Sequence, residues 1–422
     1  SVVGAVLNNR AHYRHLHCSV CVFVGCVCWC GLTTKGEKVV QTHNICNAQF
    51  AVESCQAIGG ARGTCVEGAV YVLAGVRDIA DSLANVWCQF TVTVILRGFM
   101  IIVGYYPSWA IYKRYTFDCI PPFITHLTYC FVGCEVDGTI KFVDPWADLG
   151  RGEKTLLYSD NIKISQGNLW KLKHLKEARP DLQIGISIGG SGCESFGSVL
   201  SSETSTTRLE GRLQSLSKSL NLDYVEFDYE FPSDQQQLQN YILLIELFKT
   251  QSCLQTFLSI PCNLDQPITV NIAEFKHVDY FNVMAYDFSG AWSACALYHS
   301  NLYGDECHAI CIDSVIQSLK RTINPRQLIL GISLFGKEFK YCKGIGLAYS
   351  GPVSTIDYDD IQPEHECYND KCVAAYTTTK SSSVIVYDNQ QCINKKIEYA
   401  QEQSLGGVMF WDLSKYKSLS LL

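Results

Sequence analysis

The stretch Asp223-Tyr224-Val225-Glu226-Phe227-Asp228-Tyr229-Glu230, followed by Phe231 and Pro232, alternates with the period of a strand rather than a helix. Side chains alternate across a strand, so Tyr224, Glu226, Asp228 and Glu230 fall on one face and Val225, Phe227 and Tyr229 on the other. One face is apolar enough to pack under helices. The other carries three carboxylates in a row. Same-face neighbours stand only about 7 Å apart, and burying like charges so close drives at least one carboxyl pKa upward. General acid catalysis near neutral pH needs such a group. An edge strand with a wet acidic face would give the same pattern, so the rest of the chain has to choose between the two.

A length of 422 residues allows two or three domains, or one large α/β barrel with additions. Hydrophobic residues make up 47% and charged residues 18%, enough for a sizeable core and against bulk disorder. Net charge is −7 and no long basic run occurs, which excludes a phosphate-tracking surface for nucleic acid. There is no Walker-type loop and no dinucleotide glycine fingerprint.

The 22 cysteines lean toward an oxidising compartment, and nine of them precede residue 100. Cys130 and Cys134 cannot pair with each other, because four residues of strand hold them about 13 Å apart. Cys18 and Cys21 with His15 and His17 have a zinc-like spacing, but their flanks are apolar and a second ligand pair is missing.

Residues 1–99 form a cysteine-rich segment distinct from the remainder of the chain. Cys18 to Leu32 is an apolar run behind Arg10 and Arg14, with the outline of a signal or a short membrane anchor. A cysteine-stapled carbohydrate-binding module and a segment without a fold of its own also fit, and contact with a membrane is expected only if the run is an anchor. From about residue 100 the pattern is regular. Strand runs fall at 100–106, 124–134, 182–190, 222–230, 256–262, 280–288, 328–335 and 406–413. Amphipathic segments at 169–178, 209–220, 238–249, 310–322 and 391–403 lie between them. Eight strands alternating with helices predict a parallel (β/α)8 TIM barrel over residues 100–422, with a small α+β insertion at about 337–385 between strands 7 and 8. Barrel chemistry sits at the C-terminal strand ends. There the chain places Trp109, Gly189, Gly190, Asp228, Glu230, Tyr286, Asp287 and Trp411, aromatic faces and carboxylates suited to a sugar cleft.

With these motifs in place the chain resembles the family 18 glycoside hydrolases, most nearly the fungal chitinases. Asp223, Glu226, Asp228 and Glu230 match the family's fourth-strand Asp-x-x-Asp-x-Asp-x-Glu. Ser187-Ile188-Gly189-Gly190 matches the third strand, and Met284-Ala285-Tyr286-Asp287 the sixth, followed by a fungal-like Phe288-Ser289-Gly290-Ala291-Trp292 loop. Gly104-Tyr105-Tyr106-Pro107-Ser108-Trp109, the run from Thr125 to Phe131, and the run from Gly406 to Trp411 complete six matches in order.

The resemblance implies retaining, substrate-assisted hydrolysis of β-1,4-linked N-acetylglucosamine, with chitin or chito-oligosaccharides as partner and no metal or cofactor. It implies Glu230 as acid and base, Asp228 on the acetamido N–H, Tyr286 on the acetamido oxygen, and Glu226 in a relay beneath Asp228. Trp411 would be the floor, Asp287 would bind near the scissile bond, and Tyr105, Trp109 and Phe131 would line the cleft. Met284, Gly189, Gly190 and Lys337 complete the expected substrate-binding set. A monomer, secreted or in the cell wall, is expected.

Departures from the family pattern are Tyr224 for Gly, Glu226 for Asp, Ser191 for an aromatic and Lys337 for Arg. Tyr224 demands extra room, Glu226 is one methylene longer, and Lys337 lacks the planar fork. The rival readings are a chitin-binding lectin on an impaired barrel and an endo-β-N-acetylglucosaminidase acting on N-glycans. The retained acid Glu230 speaks against the first. Met284 to Asp287, Trp411 and the insertion speak against the second.

Overall fold

Eight short runs whose residues are almost all buried, at the predicted places, are the strands of the barrel in the computed structural model. The structure describes residues 18–23, 26–32, 38–42, 100–150, 156–159, 163–306, 308 and 310–420. The barrel strands are β1 (Ile101–Pro107), β2 (His126–Cys134), β3 (Gln183–Gly189), β4 (Tyr224–Asp228), β5 (Gln255–Pro261), β6 (Tyr280–Met284), β7 (Leu328–Ser333) and β8 (Gly407–Trp411). Each pairs in parallel with its sequence neighbours, and β8 pairs with β1, so the sheet closes with no edge. That removes the wet-edge explanation of the acidic face: it points into the barrel.

The outward faces pack under helices α1 (Gly167–Ala178), α2 (Glu203–Leu220), α3 (Gln235–Gln251), α4 (Ile312–Leu319) and α5 (Gln390–Glu402). Phe227 of β4, for example, meets Tyr241 and Phe248 of α3 edge-on at 6.5 and 5.6 Å. Caps set the helix ends more sharply than apolar spacing does. Helix α2 starts six residues before its first expected apolar position because the Ser202 side chain accepts from the Ser205 amide. Helix α4 is shorter than expected because Cys311, in an extended conformation, caps it and excludes Ile310.

Strand ends also fall short of the predicted runs. β4 stops at Asp228, so Glu230 lies in the loop beyond it. β6 stops at Met284, where the chain turns tightly into Asp287 at φ +60°. The insertion spans Phe335 to Tyr387 and is an antiparallel sheet of five strands, with Phe335–Phe339 between Val353–Asp357 and Val384–Tyr387. The sequence predicts α+β there; among the described residues the insertion holds no α-helix, only the 3-10 turn Tyr358–Asp360. Val384–Tyr387 is a four-residue apolar run buried at every position, of strand rather than helix length, and it pairs on one side with Phe335–Phe339.

The chain divides into two units, Ser1–Asp81 and Ser82–Leu422. In the first, Cys18–Phe23, Cys26–Leu32 and Lys38–Thr42 pair as an antiparallel sheet. The apolar run read as a signal or anchor is thus paired strand where it is described. The rest of residues 1–99, with His15 and His17, lies outside the described residues. Among the described residues no helix is long and apolar enough to cross a membrane.

Tyr224 shows how the barrel interior absorbs an oversized residue. Its ring is fully buried, stacks on Phe257 at 4.5 Å, and its hydroxyl bonds Thr128 Oγ1 at 2.8 Å. Directly opposite in the ladder is Gly185, and a Cβ there would fall 2.3 Å from the Tyr224 ring. The space taken by the phenol is the space a side chain on β3 would fill. Gly185→Ala is therefore expected to destabilise the barrel by roughly 2 kcal/mol, while adding Tyr224→Ala recovers at least about 1 kcal/mol of the coupling. Denaturation midpoints of the two single variants and the double variant check it; additive losses would refute the pairing.

Candidate active site

The C-terminal mouth of the barrel opens into a cavity of about 600 Å³, with Glu230, Asp228, Tyr286, Asp287, Tyr105 and Trp411 on its wall. Phe131 and Met284 also line it. The close approach of β3 to β4 depends on two glycines. Gly189 has φ +119°, and a Cβ on it would lie 2.1 Å from the Asp228 carbonyl oxygen; the Gly190 amide donates to that same oxygen at 2.8 Å. A Cβ on Gly190 would sit 3.0 Å from the Phe131 ring. Gly189 and Gly190 act through this spacing, whereas Ser191, the next residue, reaches the cavity wall.

The three carboxylates form a gradient of burial. Glu226 is deepest and fully buried. Its Oε1 accepts from the Tyr105 hydroxyl, from Ser259 Oγ at 2.8 Å and from Asn282 Nδ2 at 2.6 Å. Burial raises this carboxyl above the usual range, and Tyr105, Asn282, Ser259 and Ser187 oppose the rise. Asp228 stands on the cavity floor at 4% exposure, and its Oδ1 has no partner among the described residues. Burial, then the charges of Glu226 and Glu230, hold its carboxyl well above the ordinary value. Glu230 is the outermost. Burial and the Asp287 charge raise its pKa, and the Ser191 backbone opposes them. Burial and the Asp228 charge likewise keep the Tyr286 phenol protonated.

Asp287 is held from outside the cavity. Lys337 of the insertion sheet pairs with it at 2.9 Å and lies 5.2 Å from the Phe335 ring. Neither Lys337 nor Trp109 is on the cavity wall. Trp109, 37% exposed, packs against Phe131 at 6.3 Å and Trp411 at 6.5 Å, and Tyr105 meets Trp411 edge-on at 5.3 Å. The expected residues thus come together, some as wall and some as support.

Ser259 and Asn282 are not among the residues expected from sequence. Each is a polar residue at an inward position of a barrel strand, a signal available from the two-residue period of β5 and β6. Phe231, Cys262, Asn263 and Trp292 of the wall come from loops, where no period exists to reveal them. Among the described residues one His/Cys/Asp group, Asp305, His308 and Cys372, gathers its ligand atoms within 4.8 Å. None of the three lines the cavity, and the Asp305 carboxylate bonds His308 Nδ1 at 2.6 Å and Cys372 Sγ at 3.2 Å.

Comparison with known proteins agrees with this architecture. The profile of the glycosyl hydrolases family 18 matches residues 101–415. Endochitinase 1 of Metarhizium robertsii is 25% identical over 362 residues, covering 77% of this chain and 83% of that protein. Chitinase 1 of Aphanocladium album is 26% identical over 345 residues, covering 74% and 81%. Among solved structures, the group IV chitinase of Ostrinia furnacalis in complex with allosamidin superposes with a TM-score of 0.66 at 20% identity, covering 75% of this chain and 93% of that one. The family 18 chitinase of Cycas revoluta in complex with (GlcNAc)3 gives 0.60 at 22%, covering 75% and 96%. At these identities the structural likeness speaks for the fold. With the profile spanning about three quarters of its length, this chain belongs to the glycosyl hydrolases family 18 and is a glycoside hydrolase.

Proposed function

We propose that this enzyme is a chitinase that cleaves β-1,4-linked N-acetylglucosamine polymers with retention of configuration, using the substrate's own acetamido group. The observation that carries this reading is the Asp228 carboxylate: it is buried on the cavity floor beside the acid, and its Oδ1 lacks a partner among the described residues. A buried acceptor without a donor is costly, and an acetamido N–H entering the cavity supplies one. The names of the fungal relatives point to the same substrate.

In this mechanism Glu230 is the acid: burial and Asp287 disfavour its charge and raise its carboxyl above the ordinary value. It gives its proton to the glycosidic oxygen as the acetamido oxygen attacks the anomeric carbon and the C–O bond breaks. Asp228 holds the acetamido N–H and offsets the positive charge of the oxazolinium ring, while the Tyr286 hydroxyl donates to the acetamido oxygen. Water then attacks the anomeric carbon from the vacated side, and Glu230 takes its proton. Trp411, with Tyr105 and Phe131 beside it, presents an aromatic surface to the apolar face of the sugar.

Hydrolysis of a chromogenic chitotriose from acid to alkaline pH tests the reading. Wild type is expected to show a bell-shaped profile, and Glu230→Gln to lose about 10³-fold in kcat with binding retained. Binding of chito-oligosaccharide without turnover by wild type would overturn it in favour of a lectin.

The pH profile carries a second expectation. The Asp287 charge raises the Glu230 carboxyl, so removing it lets Glu230 ionise more readily. Asp287→Asn should move the alkaline limb toward acid; a shift the other way, or none, would remove Asp287 from the tuning of the acid.

Glu226 supplies a third. Shortening it to the family's Asp withdraws the carboxylate from Tyr105, Ser259 and Asn282. Glu226→Asp is expected to cost about 1–3 kcal/mol in stability and to lower kcat. A gain in turnover with unchanged denaturation midpoint would show that the longer side chain is a defect.

A further inference from the structure

Cys134 and Cys193 meet at the mouth of the barrel. Cys134 ends β2, three residues beyond Phe131 of the cavity wall, and Cys193 lies in the loop that leaves β3 through Gly190 and Ser191. Their Sγ atoms are 3.7 Å apart. A disulfide requires about 1.7 Å of further approach, within reach of side-chain rotation where one partner sits in a loop. Cys134 is buried and Cys193 partly exposed. An oxidant therefore meets Cys193 first, and Cys134 is placed behind it to resolve the product. The Cys134 thiol donates to Cys193 and draws its pKa down to about 7; burial opposes this, and backbone amides and the Lys141 ammonium assist it. The thiolate is the nucleophile in disulfide exchange, so this lowering favours attack by Cys193.

We propose that Cys134 and Cys193 are a disulfide site that covalently joins the end of β2 to the β3 loop beside the active-site cavity. The oxidant is a low-molecular-weight disulfide such as oxidised glutathione. The Cys193 thiolate attacks one sulfur of that disulfide, expelling a thiolate and forming a mixed disulfide. Cys134 loses its proton and attacks Cys193 Sγ, which releases the second small thiol. Two protein thiols are oxidised, one small disulfide is reduced to two thiols, and the electrons balance. The bond would tie together the two elements that carry Phe131 and Ser191. Ser191 is also the residue whose backbone opposes the rise of the Glu230 pKa. The existence of the bond is independent of the chitinase reading; its effect on turnover rests on that reading.

The test uses the full chain equilibrated in reduced or oxidised glutathione, then alkylated and digested without reductant. A linked peptide containing Cys134 and Cys193 is expected under oxidised glutathione, with a thermal midpoint about 5 °C above that of the reduced protein. Cys193→Ser should abolish both differences while folding normally, since Cys193 is partly exposed. Both thiols alkylated under oxidised glutathione, or either joined to a different cysteine, would overturn the site. Chitotriose turnover should change at least twofold between the two states in wild type and not in Cys193→Ser. An unchanged wild-type rate would overturn the coupling to the active site and leave the bond to the peptide map. A wild type with no turnover in either state would count against the chitinase reading alone.

Discussion

Three carboxylates stacked up one barrel strand and its following loop, from the dry interior to the cavity wall, set the demand that the surrounding strands answer. Desolvation acts on all three in the same direction, and at Asp228 the charges of Glu226 and Glu230 add to it. The barrel meets this by converging donors rather than by supplying a counter-charge. Tyr105 from β1, Ser259 from β5 and Asn282 from β6 all aim at one oxygen of Glu226. Donors are densest around Glu226, while Asp228 is raised by burial and by its two carboxylate neighbours, and Glu230 by burial and Asp287. A closed parallel barrel suits this arrangement because every strand contributes inward residues at the same depth.

The same crowding explains the glycines and the departures from the family pattern. Gly189 and Gly190 let β3 come against Asp228, with the backbone itself as the contact surface. Gly185 yields its side-chain volume to Tyr224, so a residue that would overfill the barrel floor alone is accommodated by its cross-strand partner. Glu226 is longer than the family's Asp, yet all three of its donors are in reach of it. Lys337 in place of Arg still pairs with Asp287 through a single ammonium contact. Three of the four departures, Tyr224, Glu226 and Lys337, are thus matched by a neighbour.

The insertion sheet belongs to the active site rather than being an appendage to the barrel. Lys337 lies on an inner strand of that sheet, next to its edge strand, and holds Asp287, whose charge in turn acts on Glu230. Lys113, from the turn after β1, bonds Asp357 at the end of the neighbouring insertion strand, and Lys415 lies 3.7 Å from the same carboxylate. The sheet is thereby tied to the barrel rim on the side where Trp411 leaves β8.

The periodicity of the chain determined the fold class, the order of the eight strands and the identity of the acid-bearing strand, because burial on one or two faces imposes a repeat that any sequence must display. The family resemblance of the motifs brought out eight of the 17 residues of the cavity wall, from Tyr105 to Trp411. Tertiary structure decided what no local pattern encodes. It placed Glu230 beyond the strand end, turned the insertion into a five-stranded sheet, and set Trp109 and Lys337 as supports rather than wall. It also matched Tyr224 to Gly185, Cys134 to Cys193, and Glu226 to donors 33, 56 and 121 residues distant in sequence. These are pairings across the barrel, and a chain specifies them only through closure of the sheet, which fixes which inward side chains share a depth.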